Sequence, residues 1–250
     1  MTGTNEVRAD WAADGVFRIT LERPAKRNAI TPDMAAALGR LADWAASAAV
    51  VRAVIVTGTG GAFSAGADLG TFAQGGESAR AFVRAGNRAV AALANLGKPV
   101  IAAVDGPALG GGCEIALACS LRIASHRAVF GLPEVTLGLI PAWGGVVNLV
   151  RLCGPSRALA ACLTGQPIGA DAARDIGLVQ SVTPAGELAE AATALGVRLA
   201  AWSPVAVAAI LELAARPGSA GERELELFEA ALARPEASAA LGRFLTRRAA

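Results

Sequence analysis

Lys98-Pro-Val-Ile-Ala-Ala-Val-Asp-Gly-Pro-Ala-Leu-Gly110-Gly111-Gly112-Cys113-Glu114 is the stretch on which the fold of this chain turns. Residues 99–104 are apolar and β-branched enough for a buried strand, and three glycines then let the backbone turn tightly with almost no side chain in the way. Residues 113–119 have the Ala-rich, apolar pattern of a buried helix. The first turn of such a helix leaves amides free, and its dipole favours negative charge there. Glu114 lies one turn in. A place for an oxyanion beside a carboxyl that can move a proton is an active-site arrangement.

Working outward, the loop after the next strand reads Phe130-Gly-Leu-Pro-Glu134-Val-Thr-Leu-Gly-Leu-Ile-Pro141, and Glu134 is its only acid. Two carboxyls sharing apolar surroundings have their acidities pushed apart, one becoming acid and the other base. The bland alternative for Glu114 is a carboxylate that only complements its helix dipole. The glycines and the second acid together favour the catalytic reading.

With these residues in hand the chain resembles the enoyl-CoA hydratase/isomerase (crotonase) superfamily over nearly its whole length. Arg23-Pro-Ala-Lys-Arg-Asn-Ala-Ile30 is similar to the family's entry segment. Val54-Ile-Val-Thr-Gly58 followed by Ala62-Phe-Ser-Ala-Gly-Ala-Asp-Leu69 resembles its first oxyanion loop, and Gly106–Glu114 its second. Residues 130–141 match the segment with the second acid, and Phe244-Leu-Thr-Arg247-Arg248 resembles the closing helix.

The resemblance implies an α/β fold, a crotonase-type spiral of strand-strand-helix units with a C-terminal helical oligomerisation region. It implies an enoyl-CoA hydratase in which Glu114 and Glu134 hold a water while backbone amides of Ala67 and Gly111 receive the thioester oxygen. Coenzyme A is then part of the substrate, and neither a cofactor nor a metal is called for. Its phosphates, adenine and pantetheine fall to Lys26, Arg27, Ala65, Asp68, Leu69 and Gly70, with Phe244 and Arg247 reaching the coenzyme A of a neighbouring subunit. A homo-oligomer follows, a trimer or a dimer of trimers. Two departures stand out. Gly70 occupies a place where members often carry a basic residue, and Ala142-Trp143-Gly144-Gly145-Val146-Val147-Asn148 replaces a common Gly-Ala-Gly-Gly-Thr-Gln-Arg. Ala142 keeps an N–H that can orient the water. Trp143 either narrows the acyl pocket or serves as a core aromatic at a helix start, and the second role is slightly favoured.

Composition limits the rival chemistries. The chain has 250 residues, of which 54% are hydrophobic, enough for one large domain with a real core. A formal net charge of +2, evenly spread, does not suggest nucleic acid. The four cysteines form no Cys-x-x-Cys pair, which disfavours zinc and redox motifs. The single histidine, His126, sits in Ser-His-Arg with nothing nearby to build a triad, and Ser64 lies in Phe-Ser-Ala-Gly, short of a nucleophile elbow. Phe63 stands where a dinucleotide fingerprint needs a small residue. The polar N-terminus and the acids and glycines within residues 99–119 argue for a cytoplasmic protein without a membrane span.

Strands are expected at 16–21, 53–57, 100–104, 121–124 and 179–182. Thr31-Pro32-Asp33 reads as a helix start, and a second helix is expected from a Ser78 cap to Leu96, stopped by Gly97. Residues 184–202, 203–216, 220–233 and 235–246 read as amphipathic helices. The chain thus divides into a spiral core with the active site, residues 1–185, and a helical, trimerising region, 186–250. Other crotonase-type reactions on an acyl-CoA (double-bond isomerisation, thioester hydrolysis, ring chemistry) remain alternatives, as does a non-catalytic acyl-CoA binder, which the intact acids disfavour.

Overall fold

The computed structural model describes residues 6–73, 75–215 and 221–248, with the side chains of 247 and 248 outside the description. A six-stranded sheet is built from β1 (Val7–Ala13), β2 (Val16–Leu21), β3 (Ala53–Gly58), β4 (Val100–Val104), β6 (Leu121–Ser125) and β9 (Ser181–Thr183), in the order β1-β2-β3-β4-β6-β9. Only the β1–β2 pair is antiparallel; the rest run parallel, in register from Leu21 opposite Gly58 to Val104 opposite Ala124.

Both faces of this sheet are covered, as a parallel sheet requires. Alternate residues of β2 to β4 (Phe17, Ile19, Val54, Val56, Ala102) point into the main core. There they meet α1 (Pro32–Ser47), α3 (Gly76–Ala94) and α4 (Gly111–Ala118). The residues between them (Val16, Ile55, Ile101, Ala103) face Leu188 and Ala192 of α8 (Leu188–Ala200). The near-continuous apolar runs of these strands are the sequence counterpart of that double burial.

A second ladder of β5 (Pro107–Leu109), β7 (Val129–Gly131) and β8 (Ile168–Gly169) is interleaved with the main strands in sequence. Isolated bridges extend it, Ser64 with Ala108 and Ile30 with Ala67. Four of the main strands are thereby each followed by a short segment of the second ladder or its bridges and then by a helix. The units are β2, Ile30, α1; β3, residues 64–67, then α2 (Leu69–Ala73) and α3; β4, β5, α4; and β6, β7, α5 (Gly145–Cys153). This is the expected spiral of strand-strand-helix units. The short helices α6 (Pro155–Thr164) and α7 (Ala170–Asp175) lead to β9.

Thr31 caps α1 as expected, its hydroxyl accepting from Met34 N at 3.2 Å. Other boundaries move. The N-cap of α3 is Gly75, so Ser78 lies inside the helix, and α3 ends at Ala94 before Gly97. Only Gly110 of the glycine triplet makes the turn, with φ +49°, whereas Gly111 and Gly112 already belong to α4. The helix expected from 184 begins as a 3-10 turn, Ala185–Glu187, before α8. Beyond it, α9 (Pro204–Ala215), α10 (Glu222–Leu232) and α11 (Pro235–Arg248) leave Ile210, Phe228, Leu241 and Phe244 at least half exposed around an apolar cavity of about 1100 Å³. Among the described residues no single helix is long and apolar enough to cross a membrane, and the one apolar pair, Ala185–Ala200 with Pro204–Ala215, is bent by 107°.

Candidate active site

β4 leads into β5, which runs up to Gly110, whose amide donates to Gly131 O of β7 at 2.9 Å. This tie holds the N-terminus of α4 beside the Glu134 loop. Gly112 has no room for a side chain: a Cβ there would lie 2.6 Å from both Cβ and O of Ser64. That contact seats α4 on residues 64–67, and the Ser64 hydroxyl, donating to Asn28 O at 2.8 Å and accepting from Gly66 N, locks the loop in turn. Asn28 itself sits at φ +56°, fully buried, with Nδ2 donating to Ala62 O and Thr59 O and Oδ1 accepting from Arg23 N.

These ties leave two amides unused. In the parallel bridge Ile30 donates to Gly66 O and Asp68 donates to Ile30 O, so the N–H of Ala67 points away from Ile30. Gly111 N belongs to the first turn of α4 and has no intrahelical acceptor. Ala67 and Gly111 line one cavity of about 600 Å³, and so do Glu114, Glu134, Ala65 and Leu69.

Glu114 is 2% exposed, and its Oε1 accepts from Trp143 N at 2.7 Å and Gly145 N at 2.8 Å. Burial raises its pKa to about 7; the two amides pull it down and the charge of Glu134 pushes it further up. The pKa of Glu134 is raised too, mainly by burial. Its Oε2 is buried without a hydrogen-bond partner among the described residues. The Ala142 carbonyl is turned outward to accept from Asn87 Nδ2 at 2.8 Å, and the amides that meet an acid come from the next residue, Trp143, and from Gly145.

Trp143 takes both of its expected roles. It is 2% exposed, edge-on to Phe82 with ring centroids 5.5 Å apart, and it also lines the cavity. The indole lies directly over Gly86 and Gly111, where a side chain would collide with it. Phe72, Val83, Leu137, Leu139 and Ile140 supply the other apolar walls, and Arg80 and Arg84 of α3 complete them. Leu137, Leu139 and Ile140 belong to the segment already matched at 130–141, whereas Phe72, Val83, Arg80 and Arg84 carry no signal in the sequence beyond the helix expected from 78 to 96.

Other expected site residues lie outside this cavity. The Asp68 carboxylate pairs with Arg23 at 2.7 Å and accepts from Gly70 N, and Arg23 holds its pKa below the ordinary value. Lys26 and Arg27 are exposed on the entry segment, which is joined to the loop by Ala65 N donating to Arg27 O. Phe244 lines the cavity among the tail helices, and Arg247 lies in α11 with its side chain outside the described residues. Cys113, Cys119, Cys153 and Cys162 are buried free thiols, and His126 is exposed. The described residues contain no cluster of three or more His, Cys, Asp or Glu able to hold a metal ion.

The enoyl-CoA hydratase/isomerase family profile matches residues 12–241. The chain belongs to this family. It is 38% identical over 217 residues to the 2,3-dehydroadipyl-CoA hydratase of Escherichia coli, covering 84% of this chain and 85% of that one. It is 42% identical over 191 residues to a short-chain-enoyl-CoA hydratase of Clostridium acetobutylicum, covering 76% and 73%. The crystal structure of an enoyl-CoA hydratase from Bacillus anthracis superposes with a TM-score of 0.92 at 33% identity, covering 97% of both chains. The crotonase-type spiral expected from the sequence is therefore the fold of an enzyme family whose substrates are acyl-CoA thioesters.

Proposed function

We propose that the chain is a 2-enoyl-CoA hydratase. The thioester oxygen lies between the Ala67 and Gly111 amides, which take up the negative charge that develops as C3 is attacked. One such donor is typically worth about 3–4 kcal/mol of barrier. Water held between the two acids forms a C–O bond to C3 and loses a proton to one carboxylate, while the other carboxyl delivers its proton to C2. Two backbone amides on Glu114 favour its ionised form, and burial favours a Glu134 carboxyl that keeps its proton. Glu114 is thus the base and Glu134 the acid in the hydration direction.

The observation that carries this reading is the convergence of two carboxyls of raised pKa and two amides without backbone acceptors on one cavity. The names of the Escherichia coli and Clostridium relatives support it. Coenzyme A would run over the Lys26–Arg27 turn and along residues 65–70. The half-exposed apolar faces of α9 to α11 support assembly into a trimer or dimer of trimers, with Phe244 and Arg247 serving a neighbouring subunit.

A panel of 2-enoyl-CoA thioesters, followed by loss of the conjugated thioester absorbance, tests the activity. Glu134→Gln should lower kcat by about 10²–10⁴ while leaving coenzyme A binding nearly intact. Near-wild-type hydration by that variant would refute the two-acid scheme and favour isomerase or hydrolase chemistry.

A further inference from the structure

Apart from Glu114 and Glu134, the walls of the acyl cavity are apolar except at one place. Arg80 and Arg84 line it from α3, one turn apart on the same helix face, about 6 Å along the axis, with Val83 between them. Arg88 continues the row one turn further, and with Arg84 and with Arg40 of α1 it lines an adjoining groove of about 460 Å³. Like charges four residues apart oppose helix formation, so three arginines in this ladder do not serve α3 itself. The acids facing them are few. Glu77 pairs with Arg84, both well exposed, and Asp43 lies in the adjoining groove. Glu134, on the loop packed across the cavity, is the acid of the reaction. Arg80 makes no ion pair among the described residues.

We propose that Arg80 and Arg84 form the distal end of the acyl pocket and select thioesters whose acyl chain ends in a carboxylate. The proposal rests on the acyl-CoA reading of this cavity and names the class of acyl chain it takes. The guanidinium is planar and offers paired donors that match both oxygens of a carboxylate. The Arg84–Glu77 pair does not stand in the way, because an exposed ion pair is weak and easily exchanged. The only other anions the substrate brings are the coenzyme A phosphates. Lys26 and Arg27, the cations expected there, are joined to the other boundary of the site, the loop at Ala65, and are not part of the cavity wall.

Binding of saturated acyl-CoA thioesters, measured by calorimetry on the full-length protein, tests this without requiring turnover. Two ligands of equal chain length are compared, one ending in a methyl group and one in a carboxylate, with free coenzyme A as a third. The carboxylate-ended thioester should bind about tenfold more tightly than its methyl-ended partner. The preference should shrink as ionic strength rises, since the guanidiniums are exposed. In Arg80→Met and Arg84→Met it should fall towards unity, and in the double variant vanish. A ratio of affinities on one preparation does not depend on how much of a variant is folded. Equal affinity for the two thioesters in the wild type would overturn the proposal. So would equal losses for both thioesters and for free coenzyme A in the variants, which would place the arginines on the phosphates. The hydratase reading fails by a different result, namely tight binding of thioesters without hydration of any 2-enoyl analogue.

Discussion

Glu114→Gln should abolish a pH dependence of stability that burial imposes on the wild type. The folded chain raises this carboxyl from 4.5 to about 7, chiefly by removing it from water. Between those values the unfolded chain has lost the proton and the folded chain still holds it. Stability from this group is therefore complete below pH 4.5 and declines as pH rises through about 7. At about 1.4 kcal/mol for each tenfold change in the proton equilibrium, the loss between pH 5 and pH 8 comes to about 2.5 kcal/mol. For a chain of this size that is a shift of about 5–10 °C in midpoint. Glutamine keeps the Oε1 acceptor for Trp143 N and Gly145 N but carries no proton to lose.

The assay is thermal unfolding of wild type and variant at equal protein concentration, from pH 5 to pH 8. Contributions from groups that do not interact with Glu114 are common to both and cancel in the difference, and repeating the comparison in a Glu134→Gln background removes the one carboxyl coupled to it. The variant should gain on the wild type by the stated margin as pH rises, even though its hydration activity is lost. Parallel midpoint curves would mean that Glu114 titrates near its ordinary value, and the assignment of a base poised near neutrality would fall with it.

Two further substitutions probe the frame of the site. Gly86→Ala drives a methyl group into the Trp143 indole, so it should cost about 1–3 kcal/mol of stability and, by moving the donor to Glu114, at least about tenfold in kcat; unchanged melting and kinetics would show that the indole yields freely. Asn28→Ala removes two donors and an acceptor from buried backbone partners and leaves alanine at φ +56°, for an expected loss of about 3–5 kcal/mol in urea unfolding. Asn28→Gly should recover about 1 kcal/mol of that, the part due to backbone conformation alone.

The legible parts of this protein were those in which chemistry and local structure share one short segment. β4, the Gly110 turn and Glu114 occupy adjacent positions, so composition and spacing spoke together, and the same holds for the Thr31 cap of α1. The second ladder left little trace, because it is made of strands of two or three residues and of the single bridges at Ile30 and Ser64, too short to set up a period. The expected Ser78 cap failed since Gly75 reaches the cap conformation with φ +65° and lets α3 start earlier. The amides on Glu114 and the glycine under Trp143 come from segments 29 and 57 positions away along the chain, and only the packed core brings them together. Arg80 and Arg84 sit within the helix expected from 78 to 96, and nothing local marks them as cavity residues before the wall from Leu137 to Trp143 is in place.

The acidity of Glu114 also explains why so small a helix carries so much of the site. All eight residues of α4 are buried, so its terminal groups cannot be left to water. At the C-terminal end Arg122, 1% exposed, donates to Cys119 O at 2.6 Å and Ala116 O at 3.3 Å from Nη1, and to Leu178 O at 2.6 Å from Nε. A buried guanidinium satisfied by carbonyls alone, with no carboxylate beside it, places uncompensated positive charge where the helix dipole is negative. At the other end the dipole is positive, and there stand Glu114 and the unused amide of Gly111. Burial drives Glu114 towards its neutral form; the dipole end and the amides of Trp143 and Gly145 favour its charge. A pKa of about 7 is the balance of these opposing effects, and it leaves the carboxyl able to take and return a proton. Arg122 thus holds the C-terminal end of α4, and through the position of that helix it supports both Glu114 and the Gly111 amide at the other end.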